Sequence, residues 1–400
     1  MAKSNFKKIT GWLHLWIGLV TGIVVVIVSV TGCIYVFDKE IFDFVHKDIV
    51  SVQKTGPARP VSELLAIAQK AVGPHKKLSS IKITEDDKSF VFSGFKVNDK
   101  KKITLWYFSQ FEYYDYVYVN QYTGKVLGTI DFRYEFFNVV EQLHRQLLLV
   151  KPVGSVIVGS CVLLFLLMMI TGFILWLPKN YRQFKQSITI KWNARFKRVN
   201  YDVHNSLGFY VLPIAILIAV TGLVWSFKWW EKGIYNMLGT KEKPQFSRVL
   251  PVISTADSTL NKMDIIHQNL LKQLNGNWTQ IGLDIPNRKD KMVMAFVYLK
   301  HRSDGWNGIS YYFFDGRTGK LVTAIPHSKK TLGMKWRNSN LYIHTGRLYG
   351  PGTQILAFLA SLVCASLPVT GFLIWWGKRN KKPKKKRPVT EPAVLAMVNA

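Results

Sequence analysis

Acidic residues are scarce in this 400-residue sequence: 24 Asp and Glu stand against 54 Lys and Arg, for a formal net charge of +30. Cysteine is scarcer, and Cys33, Cys161 and Cys364 all fall inside long apolar runs. The polar stretches between those runs therefore hold no disulfides, even in a compartment that would permit them. Neither G-x-G-x-x-G nor a P-loop sequence occurs, which excludes the usual nucleotide-binding βαβ units. No Ser/His/Asp or Cys/His arrangement suggests hydrolysis.

The surplus of positive charge could suggest nucleic acid, but its placement argues against that partner. Lys3, Lys7 and Lys8 precede the first apolar run, seven Lys/Arg lie between Lys179 and Arg198, and Lys378 to Arg387 reads KRNKKPKKKR. With 48% hydrophobic residues and four long apolar runs, the class is a polytopic α-helical membrane protein. About 20 apolar residues suffice for each span. All three basic segments then fall on one side, which the positive-inside rule makes the cytoplasm, with anionic lipid as the natural partner. The expected organisation is span 1 at 11–37, an outer domain at 38–142, span 2 at 143–178, a basic cytoplasmic connector at 179–203, span 3 at 204–228, a second outer domain at 229–342, span 4 at 343–377 and a basic cytoplasmic tail at 378–400. Val30-Thr31-Gly32-Cys33 superficially resembles a lipoprotein processing site. The apolar run is longer than a signal peptide's, however, and Thr-Gly also closes the other three spans, so the first span is read as retained.

The spans repeat. His14 and Thr31 lie 17 residues apart, as do His204 and Thr221, and each histidine has a glycine four residues on, Gly18 and Gly208. His144 precedes Thr171 by 27 residues and His344 precedes Thr370 by 26, and both of these spans end in TGF-x-x-W. The chain thus reads as a tandem 2+2 repeat. Between the spans, Pro60 to Lys70 and Lys262 to Gln273 have the periodicity of amphipathic helices. Leu78 to Ile83, Ser89 to Phe95, Ile103 to Phe108 and Tyr116 to Asn120 read as strands, the last leading through Gln121 to Gly124 into Lys125-Val126-Leu127. Tyr311 to Asp315, Gly316 to Lys320 and Leu321-Val322 repeat that strand, turn and strand. Each outer domain is therefore expected to be a small α+β unit.

A helix, strands, and then N-x-x-T-G-K-V (Asn120 to Val126) or D-x-x-T-G-K-L (Asp315 to Leu321) resemble the PepSY domain. Flanked by spans bearing His and Thr-Gly, from about residue 5 to 378, they resemble the PepSY-associated transmembrane helix family. That resemblance implies a four-helix bundle with two extracytoplasmic PepSY-like domains in a bacterial inner membrane, both termini cytoplasmic. The family includes ferric-siderophore reductases carrying two b-type haems, and other members described only as iron-regulated membrane proteins. The resemblance thus implies a ferric siderophore or other ferric chelate as acceptor. An inner connector this short has no room for a dinucleotide-binding unit, so electrons would come from a membrane quinol or a separate cytoplasmic reductase. The alternative is a non-enzymatic, membrane-anchored PepSY protein that binds or restrains an envelope protease or another partner.

Topology pairs the histidines. His14 and His204 fall at the cytoplasmic edge, and His144 and His344 at the outer edge, each pair drawn from two different spans. This is the arrangement for two bis-imidazole haems, one near each leaflet. No C-x-x-C-H is present, so both would be haem b, held non-covalently. The bland reading has these histidines snorkelling or bonding a neighbouring helix, but four at repeated positions, paired by leaflet, favour haem. Zinc would need Cys, Asp or Glu to complete a tetrahedral set beside each pair, and none does. Gly18 and Gly208 are candidates for a bare patch against which a macrocycle lies, or for plain helix packing. Arg145 and Arg347 flank the outer histidines, where they would hold propionates or lipid head groups. His46, His75, His267, His301 and His327 have no counterparts in the repeat and are expected on the surface.

Overall fold

The computed structural model describes residues 2–240, 261–285, 292–301 and 304–379; the basic tail beyond Arg379 lies outside them. Its helices are α1 (Ala2–Val36), α2 (Asp38–Val45), α3 (Lys47–Val50), α4 (Val61–Val72), α5 (Phe136–Gln146), α6 (Lys151–Trp176), α7 (Tyr181–Ser187), α8 (Phe196–Ser226), α9 (Lys228–Met237), α10 (Lys262–Leu274), α11 (Leu332–His344) and α12 (Pro351–Arg379). The strands are β1 (Ser80–Thr84), β2 (Phe90–Val97), β3 (Phe111–Val119), β4 (Val126–Asp131), β5 (Gln280–Asp284), β6 (Met292–Tyr298), β7 (Ile309–Asp315) and β8 (Leu321–Ile325).

Four helices, α1, α6, α8 and α12, are long and apolar enough to cross a membrane. This is a membrane protein. α1 packs on α6 and α12, and α8 packs on the same two, so the four form a ring. Its centre is filled by Val25, Phe165, Met168, Val211, Ala215, Ala219, Ala360 and Cys364. Most of the other side chains on these helices point outward, as an apolar solvent allows.

The polar stretches do not form two separate sheets. One antiparallel sheet of eight strands runs in the order β4-β3-β2-β1-β5-β6-β7-β8. The join is β1 against β5, where Ile81 sits opposite Leu283 and Ile83 opposite Ile281. Each half would otherwise present an edge strand with unpaired backbone groups, and pairing the two edges removes that liability. α4 and α10 lie on one face of this sheet, over a core of Leu64, Ala68, Phe92, Val117, Ile266, Leu270, Leu283 and Phe314. The two helices are tied together at their first turns, where Asp264 accepts from the Ser62 backbone N–H at 2.9 Å and from the Ser62 hydroxyl.

Ile103 to Phe108 is not a strand. Alternate residues there have no buried face, and only Tyr107 is buried. The segment instead runs beside the turn that leads into α6, with the Tyr107 and Val150 amides donating to the Leu148 and Leu105 carbonyls at 2.8 Å each. Leu105 and Trp106 stay exposed there, at the level where α6 begins.

The second and fourth apolar segments are each broken just after their histidine. α5 ends at Gln146 and α6 begins at Lys151, so His144 rides on a separate short helix rather than on a span. His344 is likewise the last residue of α11, ahead of α12. The first break places Leu147 and Leu148 in the left-handed region, with φ of 55° and 57°. The second uses Gly346 and Gly350, with φ of 74° and 88°.

Candidate functional site

The structure brings the four histidines together as two pairs. At the end of the bundle nearer the sheet, the imidazoles of His144 and His344 have ring centroids 6.0 Å apart, with planes inclined at 72°. At the far end, His14 on α1 and His204 on α8 have centroids 6.4 Å apart, inclined at 83°.

Each imidazole is held from behind by a Thr-Gly pair on a neighbouring span. The His14 Nδ1 lies 3.2 Å from the Thr171 hydroxyl and 3.1 Å from the Met168 carbonyl. The His144 Nδ1 lies 3.1 Å from the Thr31 hydroxyl and 2.8 Å from the Val28 carbonyl. The His344 Nδ1 meets the Thr221 hydroxyl and the Ile218 carbonyl, both at 3.0 Å, and the His204 Nδ1 meets the Thr370 hydroxyl at 2.8 Å. The glycine after each threonine leaves room for the ring. A Cβ would stand 2.9 Å from the His14 Cε1 at Gly172, 3.1 Å from that of His344 at Gly222, 3.2 Å from that of His204 at Gly371 and 3.3 Å from that of His144 at Gly32. The sequence marks Thr-Gly as a signature of the repeat; that its partner is a histidine more than 100 residues away is visible only in the fold.

Gly18 and Gly208 do not face imidazoles. A Cβ at Gly18 would meet the Met168 Sδ at 3.1 Å, and one at Gly208 the Leu367 Cδ2 at 3.8 Å, so both sit against side chains of adjacent spans.

The short helices that deliver the sheet-side pair are firmly seated. Glu135 caps α5, its carboxylate accepting from the Phe137 and Asn138 amides at 3.0 and 2.7 Å. The Asn138 side chain in turn donates to the Tyr107 hydroxyl and the Phe132 carbonyl, at 2.7 Å each. On α11 the fully buried Asn340 donates to the Thr221 carbonyl at 3.0 Å, which fastens α11 to the same turn of α8 that receives His344. Burial pushes the His144 imidazole down to about 4 and that of His344 to about 3. Both are neutral at physiological pH, the state a metal ligand requires.

A cavity of about 420 Å³ opens beside the sheet-side pair, within the range of small-molecule and cofactor sites. Its walls include His144, His344, Trp225 and the glycines Gly32 and Gly222, and its roof includes Tyr298, Ile309 and Tyr311 from the sheet. Along β7 the side chains alternate, so Tyr312 and Phe314 enter the core under α4 and α10 while Ile309 and Tyr311 face the cavity. Arg145 lines the wall, bonded to Glu141 at 2.6 Å. Arg347 does not line it. Its guanidinium, 10% exposed, donates to the Val36 carbonyl at 2.7 Å and pairs with Asp38, tying the end of α1 to the start of α12. The second arginine in the wall is Arg337, on the same face of α11 as His344 and paired with Glu231 at 2.8 Å. Sequence reasoning passed over it because it lies seven residues before the histidine, two helical turns rather than next door.

His327 is also not a surface residue. It is 5% exposed, and its Nε2 lies 3.0 Å from the Asp304 carboxylate. Among the described residues no group of three or more His, Cys, Asp or Glu could hold a metal ion.

A bis-imidazole metal site fits these distances. Two metal–nitrogen bonds of about 2 Å, with each ring centre about 1.1 Å beyond its nitrogen, would put the centroids of two opposed imidazoles about 6.3 Å apart. The observed separations of 6.0 and 6.4 Å bracket that value. No curated protein matches the chain. The sequence pattern of the PepSY-associated TM region, however, matches residues 11–378. Taken with the four spans and their His and Thr-Gly positions, that match places this chain in the PepSY-associated TM region family.

Proposed function

We propose that this protein carries electrons across a bacterial inner membrane through two non-covalently held b-type haems and reduces a ferric chelate, such as a ferric siderophore, on the outer side. The observation that carries the proposal is the pairing of four imidazoles, two at each end of a four-helix ring, at the separation that two imidazoles sharing one metal would need. His14 with His204 would hold one haem at the cytoplasmic end, and His144 with His344 the other at the outer end. Between those ligands a haem supplies a one-electron Fe(III)/Fe(II) centre.

The protein's own residues do the rest. Val25, Phe165, Met168 and their neighbours keep water out of the space between the two ends. Arg145 and Arg337 present guanidinium groups to the outer cavity, where carboxylates of a macrocycle would find charge-assisted hydrogen bonds. The roof of Tyr298 and Tyr311 separates this cavity from the sheet core. One electron reaching the outer site reduces one ferric ion, and the chelate then releases its ferrous ion. A quinol donor, giving up two electrons and two protons on the cytoplasmic side, would serve two such turnovers; a cytoplasmic reductase would serve equally.

The test is a pyridine haemochrome assay on the full chain, purified in detergent from haem-replete membranes. Two haem b per chain are expected, with an absorption spectrum that changes on reduction. A colourless protein from the same membranes would overturn the proposal and favour the non-enzymatic PepSY reading, in which the sheet binds or restrains an envelope partner.

A further inference from the structure

We propose that Thr31, Thr171, Thr221 and Thr370 are positioning residues, each fixing the tautomer of one histidine so that Nε2 is the metal-binding nitrogen. The proposal rests on the haem reading for the identity of the metal group, but its geometry stands without it. Each threonine hydroxyl has one proton, and its own helix takes it. Thr31 donates to the Ile27 carbonyl at 2.7 Å, Thr171 to that of Met168 at 2.9 Å, Thr221 to that of Leu217 at 2.7 Å and Thr370 to that of Ser366 at 3.0 Å. With its proton committed, the hydroxyl oxygen facing the imidazole can only accept. The carbonyls of Met168, Val28 and Ile218, which share the contact, are acceptors by nature. In each case Nδ1 must therefore carry the proton and donate it.

A neutral imidazole has a single ring proton, so Nε2 is left with a bare lone pair. Across each pair the opposing ring lies at the separation two Nε2 ligands to one metal would need. The glycine that follows each threonine completes the cradle, since a side chain there would press on Cε1, the carbon between the two nitrogens. The arrangement also makes each ring a better donor. An Nδ1–H held by an acceptor gives the imidazole partial imidazolate character and favours the oxidised metal.

The experiment has two arms, both on the full chain in detergent. The first uses haem-free protein labelled with ¹⁵N at histidine. The four imidazoles should show a protonated Nδ1 and a bare Nε2, and Thr221→Val should shift the His344 Nδ1 signal, its proton then held by the Ile218 carbonyl alone, while Thr221→Ser keeps the wild-type signal. The second arm adds haem. Thr221→Val should weaken binding at the His344 site by about 10- to 100-fold, the usual cost of removing such a supporting bond. It should also raise that site's midpoint potential, with Thr221→Ser restoring both. A wild-type His344 that carries its proton on Nε2, or a Thr221→Val protein unchanged in both arms, overturns the proposal. Correct tautomers in a protein that takes up no haem would instead overturn the haem reading and leave the positioning role intact.

Discussion

The two halves of the molecule have the same order of elements, yet they agree closely in one place and diverge in another. In both, a span, one or two short helices, a helix on the sheet, four strands, a short helix and a second span follow one another. The histidine cradles match: the Nδ1 to threonine distances are 3.1 and 3.2 Å in the first half and 3.0 and 2.8 Å in the second. The approach to the sheet-side cavity does not. Its roof comes from β6 and β7, with no contribution from the strands of the first half. The residue before the cap of α5 is Tyr134, 59% exposed. The residue before the cap of α11 is Lys330, 5% exposed, its ammonium 2.6 Å from the Ile309 carbonyl and 3.8 Å over the Tyr311 ring. Holding an imidazole leaves little freedom of shape, so both halves solve it alike. Roofing the cavity is a separate task, and among the strands those of the second half alone perform it.

The sharpest way to break this comparison is to remove one ligand from each pair. Under the proposed function, His344→Ala and His204→Ala should each lose about one haem per chain, since an axial ligand holds the iron directly. They should then differ. His344→Ala keeps an inner site reducible from the cytoplasmic side but abolishes reduction of an external ferric chelate. His204→Ala keeps an outer site reducible by added dithionite. Haem content and chelate reduction in membranes decide the matter. Retention of both haems by His344→Ala would show that the outer ligands lie elsewhere.

Next in size is a contrast within the first half. A methyl group at Gly172 would stand 2.9 Å from the His14 ring, too close to be absorbed without movement, whereas at Gly32 it would stand 3.3 Å from that of His144. Under the proposed function, Gly172→Ala should therefore cost about tenfold or more in haem affinity at the far-side site, with a smaller loss at the sheet-side site from Gly32→Ala. Haem titration of the two variants checks this. Equal losses would mean that the fit of these rings does not depend on the few tenths of an ångström that separate them.

How much of this was open to the sequence depends on the range of the contact involved. The spans, and the assignment of the histidines to two ends, follow from local apolar runs and a count of crossings. The helices α4 and α10 follow from periodicity, and the strand, turn and strand around Thr123-Gly124 and Thr318-Gly319 from turn chemistry. β5 and β6 carry no such local signal. Gln280 to Asp284 is short, with Gly282 at its centre, and Met292 to Tyr298 is apolar throughout and lacks the alternation that marks a half-buried strand. The β1–β5 join joins residues some 200 apart in sequence, and no local pattern encodes it. Ile103 to Phe108 misled because apolar residues beside a membrane surface look like those of a buried strand.

The arginines sharpen the comparison at smaller scale. Arg347→Ala leaves Asp38, 17% exposed, without its partner and unties α1 from α12. The expected cost is about 2–3 kcal/mol, below that of breaking a wholly buried pair because some water reaches this one. Arg337→Ala takes a partner from a carboxylate still more buried, Glu231 at 9% exposed, so it should cost stability as well. Unlike Arg347→Ala, it should also weaken haem retention at the sheet-side site, because Arg337 lines the cavity and Arg347 does not. Thermal unfolding and haem loss, measured on both variants, separate a structural tie from a cavity contact. The reverse pattern would put Arg347 back among the residues that hold the outer group.

The smallest effect concerns the two breaks that aim the sheet-side histidines. Leu147 holds φ of 55° where the second half has Gly346 at 74°. A left-handed conformation costs a leucine about 1–2 kcal/mol, while glycine gives back about 0.5–1 kcal/mol through the freedom it gains in the unfolded chain. Leu147→Gly should thus be stabilising by less than about 1 kcal/mol, a rise of a degree or two in the midpoint of thermal unfolding. The opposite exchange is not its mirror image. A Cβ at Gly346 would run into the Thr353 carbonyl, the first turn of α12, so Gly346→Leu should displace that turn and His344 with it. If Leu147→Gly instead lowers stability, the Leu147 side chain contributes packing that outweighs its backbone strain. The two halves would then have reached the same bend by different balances of strain against packing.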